Sequence, residues 1–245
     1  MGGQTIRQEE LPNLPGYAIA QDGYDHMWRS GRADIKAGTV DADPVPTSTS
    51  LRWGVSVVAV ANTPIDERLT ALANECRPLC GNKHTFYDRS NLHLTVRSCE
   101  FYRIGVQKSD LAVRAYLDIV ADICLKSSPL EIAYCGLNAN RTGIISQGYP
   151  RTEALQTLRA ELHNRLVEQS LNHGPEAEKV RRTAHTSIVV FGGPIADAAE
   201  LYRWVEANRE TWYGVGEITH LSVVKYNRSA YDVELVPFGN FALGG

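Results

Sequence analysis

The 245-residue sequence has no apolar run approaching the ~18 residues of a membrane-spanning helix, which argues against a helical membrane protein. It has no regular cysteine framework either. The five cysteines, Cys76, Cys80, Cys99, Cys124 and Cys135, are odd in number and scattered through apolar segments. That pattern argues against a disulfide scaffold and reads as reduced, buried thiols. No charge of one sign dominates: 25 Lys and Arg stand against 28 Asp and Glu, for a net charge of -3. A chain so balanced has no broad basic footprint for nucleic acid, while a small nucleotide or the end of an RNA stays compatible with it. The first ten residues hold no apolar signal-peptide core, and Ile6 stands where N-myristoylation wants Ser or Thr. The expectation is a cytoplasmic protein with no membrane partner and no obligatory protein partner.

What is present is an ordinary globular composition, 43% hydrophobic and 22% charged, in a chain long enough for one large domain or two lobes. Residues 1–50 are rich in Gly, Pro, Asp and Thr, with a linker-like stretch at 41–47. They also carry Tyr17, Tyr24, Met27 and Trp28, too apolar a set for a free tail. They are read as an N-terminal extension that packs on a body formed by residues 51–245.

Regular patterning begins at residue 53. A β-branched run over 53–61 predicts a buried strand. Thr63 then reads as a helix cap, with Pro64 in the first turn and Asp66 near the positive helix end. Ile65, Leu69, Leu72 and Cys76 follow at helical spacing, and Gly81 stops the run. A strand over 92–100, a helix over 109–125 and a hairpin of 130–136 with 142–147, turning at 138–140, come next. The second half repeats the scheme with a helix from about residue 152, a strand over 184–191, a helix around Leu201, Trp204 and Val205, and closing strands at 218–226 and 231–236. This order predicts an α+β fold: two pseudo-symmetric lobes of antiparallel sheet flanked by helices, with the active cleft between them.

Two tripeptides carry chemistry: His93-Leu94-Thr95 and His185-Thr186-Ser187, each in an apolar strand. Strand side chains alternate between faces, so His93 shares a face with Thr95, and His185 with Ser187. Each strand thus presents an imidazole and a hydroxyl together. With a pKa near about 6.5, an imidazole can take a proton from a nucleophile or give one to a leaving oxygen. The hydroxyls can donate hydrogen bonds to phosphate oxygens as charge gathers on them. No metal or other cofactor is required by such a pair.

At these residues the chain resembles the 2H phosphoesterase superfamily, which includes 2′–5′ RNA ligase-like proteins and cyclic phosphodiesterases. The resemblance rests on the paired motifs and their strand contexts, residues 91–96 and the closing segments 221–224 and 231–238. It covers roughly residues 53 to 240 and leaves the first 50 outside. It implies a metal-independent phosphodiesterase with His93 and His185 as catalytic acid and base, in an order the sequence leaves open, and with Thr95 and Ser187 holding the phosphate. Many ligase-like members carry a basic residue shortly after the second motif; here the strand continues Ile188-Val189-Val190-Phe191. That departure favours a cyclic or 2′-linked nucleotide over a long RNA. A non-catalytic binder of a nucleotide or RNA end, and an RNA 2′–5′ ligase, are the alternatives.

Other residues have weaker claims. Tyr149 and Tyr213, in loop-like settings, and Arg182, just before the second motif, are candidate substrate contacts. His220-Leu221-Ser222 is a third such tripeptide, read as peripheral because it breaks the repeat. Cys76, Cys80 and His84 have helical spacing without a fourth partner, so no metal site is expected.

Overall fold

The computed structural model describes residues 7–60, 64–178 and 180–244, so the Thr63 cap and the end of the first strand at Ala61 lie outside the described residues. The strands are β1 (Ser56–Ala59), β2 (His84–Phe86), β3 (Leu94–Ser98), β4 (Leu130–Asn140), β5 (Gly143–Pro150), β6 (Thr186–Phe191), β7 (Trp212–Ile218), β8 (His220–Arg228) and β9 (Val233–Ala242). The α-helices are α1 (Tyr17–Ala37), α2 (Ile65–Cys80), α3 (Leu111–Leu125), α4 (Ala154–Glu168) and α5 (Ala198–Ala207). The strands pair antiparallel in the order β7-β4-β5-β6-β3-β1-β8-β9, with β2 added on β6. The α+β class and the two-lobed antiparallel arrangement are as expected.

The sheet falls into two halves, β7-β4-β5-β6 and β3-β1-β8-β9, which meet at one register pair, Leu94 with Thr186. The helices are exchanged between the halves. α2 follows β1 in the chain but packs on β6, β7 and α5, whereas α4 follows β5 and packs on β3 and α3. In α2 the apolar stripe Ile65, Leu69, Leu72, Ala73, Cys76 and Cys80 is buried, and Asp66 and Glu67 sit in the first turn, where acids favour the positive helix end.

The first 50 residues contain a helix that the sequence pattern does not announce. α1 buries Ala20, Tyr24, Trp28, Gly31 and Ile35, a stripe of three- and four-residue steps interrupted by glycine. It covers a face of β4 and β5 that the rest of the molecule leaves open. Ile132 and Tyr134 of β4 point into the main core, whereas Ala133 and Cys135 point the other way and pack with Tyr24 and Tyr149 beneath α1. Gly31 lets the helix approach the hairpin: a Cβ there would lie 2.7 Å from the Asn140 Cα and 2.9 Å from the Ala139 carbonyl oxygen. The Tyr24 hydroxyl donates to the Gly148 carbonyl at 3.0 Å, closing the contact at its centre.

One sequence expectation is corrected, and two strands are added to those expected. The hairpin turns at residues 141–142 rather than 138–140, because Asn138 and Ala139 are buried and Asn138 Nδ2 donates to the Tyr24 carbonyl. β7 was missed, its strand pattern interrupted by Gly214 and Gly216. β2, three residues long, has too little sequence for any periodicity.

Candidate active site

The pairing of Leu94 with Thr186 sets the geometry of the site, since these are the middle residues of the two motifs. One step along an antiparallel ladder brings Thr95 opposite His185 and His93 opposite Ser187. A single pair is a weak seam, and Arg159 of α4 reinforces it. Its Nη2 donates to the Thr95 carbonyl at 3.0 Å, its Nε to that of Val96 at 3.2 Å, and its Nη1 to that of Arg181 at 3.1 Å. The buried guanidinium therefore ties the first motif strand to the segment leading into the second.

His93 sits at the entry to β3, with Nδ1 2.8 Å from the Asn91 carbonyl oxygen. A carbonyl only accepts, so the neutral ring carries its proton on Nδ1 and leaves Nε2 as an acceptor, with the Tyr226 hydroxyl 3.5 Å away. Asn91 is itself fixed, its Nδ2 donating to the Val233 carbonyl and its Oδ1 accepting from Asp88 N–H. Burial lowers the His93 pKa below its ordinary value and the Arg181 charge adds to this, while the Asn91 carbonyl opposes it. His185 has Nδ1 3.2 Å from Thr183 Oγ1, a group that can donate or accept. Burial first, then the charges of Arg181, Arg159 and His93, push its pKa down to about 3. Both imidazoles are thus held neutral.

A cavity of about 630 Å³ opens over the seam. His93, Thr95, His185 and Ser187 all line it, as does Arg182. One wall is aromatic: Trp53, Tyr87 and Tyr226, with the Trp53 and Tyr226 rings 5.3 Å apart, edge to face. Trp53 has φ +69°, a left-handed backbone that costs a bulky residue strain, and its indole N–H donates to Asp43 Oδ2 at 2.8 Å. Glu176 and Arg181 line the cavity as well. Ile19, Asp22 and Gly23 of α1 complete the rim, so the first 50 residues contribute to the cavity as well as to the core.

Tyr149 and Tyr213 are not among the lining residues. Tyr149 is buried under α1, its hydroxyl donating to Gln21 Oε1 at 2.6 Å, and Tyr213 is buried in β7, where its carbonyl accepts from Arg68. The exposed His220 also lies outside the cavity, bonded to Thr219. His84 has both ring nitrogens engaged, by the Cys80 carbonyl and the Gly192 N–H. Among the described residues, no three His, Cys, Asp or Glu side chains are grouped to hold a metal ion, and no helix is long and apolar enough to cross a membrane.

Sequence reasoning missed Trp53, Tyr226, Arg159 and Arg181. For Arg159 there was a signal, an arginine on the buried stripe of Leu155, Leu158, Leu162 and Leu166. Tyr226 could have been found from β8 alternation, and Arg181 from the same place before the second motif that singled out Arg182, where it reads as a generic basic turn; for Trp53 there was no signal.

The architecture is the 2H phosphoesterase fold, two antiparallel half-sheets meeting at paired motif strands, as the resemblance of the tripeptides implied. It is shared with the solved structure of TT0787 of Thermus thermophilus, at 12% identity over 78% of this chain and 98% of that one, with a TM-score of 0.61. It is shared too with E. coli LigT complexed with 3′-AMP, at 10% identity over 79% of this chain and 99% of that one, TM-score 0.53. A structure described simply as a phosphoesterase matches at 10% identity over 79% and 99%, TM-score 0.50. No family profile matches the sequence, and no curated protein sequence matches it.

Proposed function

We propose that the protein is a metal-independent phosphodiesterase that hydrolyses a cyclic or 2′-linked nucleotide phosphate by two-histidine acid–base catalysis. The observation that carries this reading is the Leu94–Thr186 pairing, which sets two imidazoles and two hydroxyls side by side in one cavity. His93, whose Nε2 is the unprotonated ring nitrogen, takes the proton of the attacking water as the new P–O bond forms. His185 enters protonated and delivers its proton to the ribose oxygen as the old P–O bond breaks. Thr95 and Ser187 donate to the non-bridging oxygens, where charge accumulates. The anionic phosphate offsets the low His185 pKa, since an adjacent negative charge favours the imidazolium. E. coli LigT has been solved with 3′-AMP and with NADP+, which supports a nucleotide-type ligand for this fold.

The test is turnover of 2′,3′-cyclic nucleotides and 2′–5′ dinucleotides with EDTA present. His93→Ala and His185→Ala should each lower kcat by roughly 10²- to 10⁴-fold. Wild-type rates in both variants would refute the mechanism. Tight binding without turnover of any substrate would make the protein a nucleotide or RNA-end binder instead.

A further inference from the structure

A phosphate placed between His93 and His185 brings negative charge into a partly desolvated cavity, and the second motif strand offers no cation after Ser187, only Ile188, Val189, Val190 and Phe191. The cations nearby differ in what they can give. Arg159 is buried and its three donor nitrogens are committed to carbonyls. Arg52 lies 3.4 Å from Asp43 and covers the Trp53 ring. Arg182 is exposed at the rim.

Arg181 is different. It lines the cavity, with its side chain 25% exposed, and its Nε and Nη2 both face a single carboxylate oxygen, Glu176 Oε1. Glu176, 4% exposed, is anchored through its own carbonyl by Arg97 Nη2 at 2.8 Å. The backbone of Arg181 is held by Arg159. The Nη1 end of the guanidinium has no hydrogen-bond partner among the described residues. Arg181 lines the same cavity as both imidazoles and Tyr226.

We propose that Arg181 is the phosphate-binding cation of this site, oriented by Glu176 and supplied from before the second motif rather than after it. The inference deepens the phosphodiesterase reading, but its test does not depend on turnover. A fork such as this one binds a phosphate oxygen through a charge-assisted hydrogen bond, and lysine replaces the charge without the fork.

The experiment measures inorganic phosphate binding to the full chain by calorimetry, for wild type, Arg181→Gln and Arg181→Lys, with the histidine ring signals followed by NMR titration. Arg181→Gln should weaken phosphate by about 10-fold or more, a loss typical of one charge-assisted contact, and Arg181→Lys should recover part of it. Both active-site histidines should titrate at higher pH in Arg181→Gln whatever its role, because a nearby positive charge is gone; the phosphate affinity is the readout that a merely structural arginine would leave unmoved. A folded Arg181→Gln protein with wild-type phosphate affinity overturns the proposal. If Arg181→Gln does not fold, Arg181→Lys decides: weakened phosphate binding supports the proposal, and wild-type affinity overturns the assignment of the contact to a guanidinium oriented by Glu176. A wild type that binds phosphate through Arg181 yet hydrolyses nothing would refute the enzyme reading and leave this one standing.

Discussion

Arg159 Nη2 donates to the Thr95 carbonyl at 3.0 Å, so a side chain of α4 holds the backbone of a residue that lines the cavity. Burial and the neighbouring Arg181 lower its pKa to about 9, which still leaves it charged at neutral pH. The same guanidinium reaches the Val96 and Arg181 carbonyls, bridging a seam that the sheet joins at only one residue pair.

Arg159→Met keeps the apolar stem of the side chain but removes the donor from three carbonyls, one buried and two part-buried. The expected cost is about 2–4 kcal/mol of stability, partly offset by no longer burying a cation. The urea midpoint measures it. A midpoint equal to wild type would mean that the seam holds without the arginine.

The two histidines make stability depend on pH. Their folded pKa values lie below the unfolded value of about 6.5, so the unfolded chain binds more protons below that pH. Stability therefore rises with pH from about 3 toward 6.5 through His185 and is flat above, at up to roughly 1.4 kcal/mol per pH unit for each group. Denaturation at pH 4.5, 6 and 7.5 should show this slope. His185→Ala should reduce it, and an undiminished slope in that variant would assign it to other groups.

The same depression governs catalysis. One imidazole of the free pair must be protonated, and both protonate only at acid pH. The kcat/KM profile, which reports free-enzyme values of the pair, should peak below about pH 6.5 and decline through neutrality. A maximum above pH 7.5 would contradict the proton assignment.

Gly31→Ala sets two effects against each other. Alanine favours a helix interior by about 1 kcal/mol, but its Cβ would press on backbone atoms of Asn140 and Ala139 that cannot swing away. The clash should win, lowering the denaturation midpoint and exposing α1 to protease. Gly23→Ala, whose Cβ would meet only Thr183 Cγ2 at 3.4 Å, is the control and should be neutral or stabilising.

Much of this fold was readable because it rests on local pattern. The stripe of α2 and the apolar motif strands show in the sequence, and the two tripeptides marked the residues that the sheet then brings together. What stayed hidden depends on contacts distant in the chain. α1 is an amphipathic helix only with respect to the far face of β4 and to α5, where Trp28 stacks on Tyr202, and its glycines, one of them a close-packing device, mimic a linker. Tyr149 and Tyr213 look like loop residues until β5 and β7 bury them. Arg181 acquires meaning only once Glu176 and the two histidines surround the same space.

The exchange of helices between the half-sheets bears on how the chain can be made. When β1, α2 and β3 leave the ribosome, the strands that α2 covers, β6 and β7, have not been synthesised. The N-terminal half must therefore wait with its apolar helix face uncovered, and the molecule is closed by distant pairings, which are slow to form. A chain stopped before Thr186 is expected to stay open to protease along α2. Neither half is a severable module: each holds a part that the other needs in order to be finished.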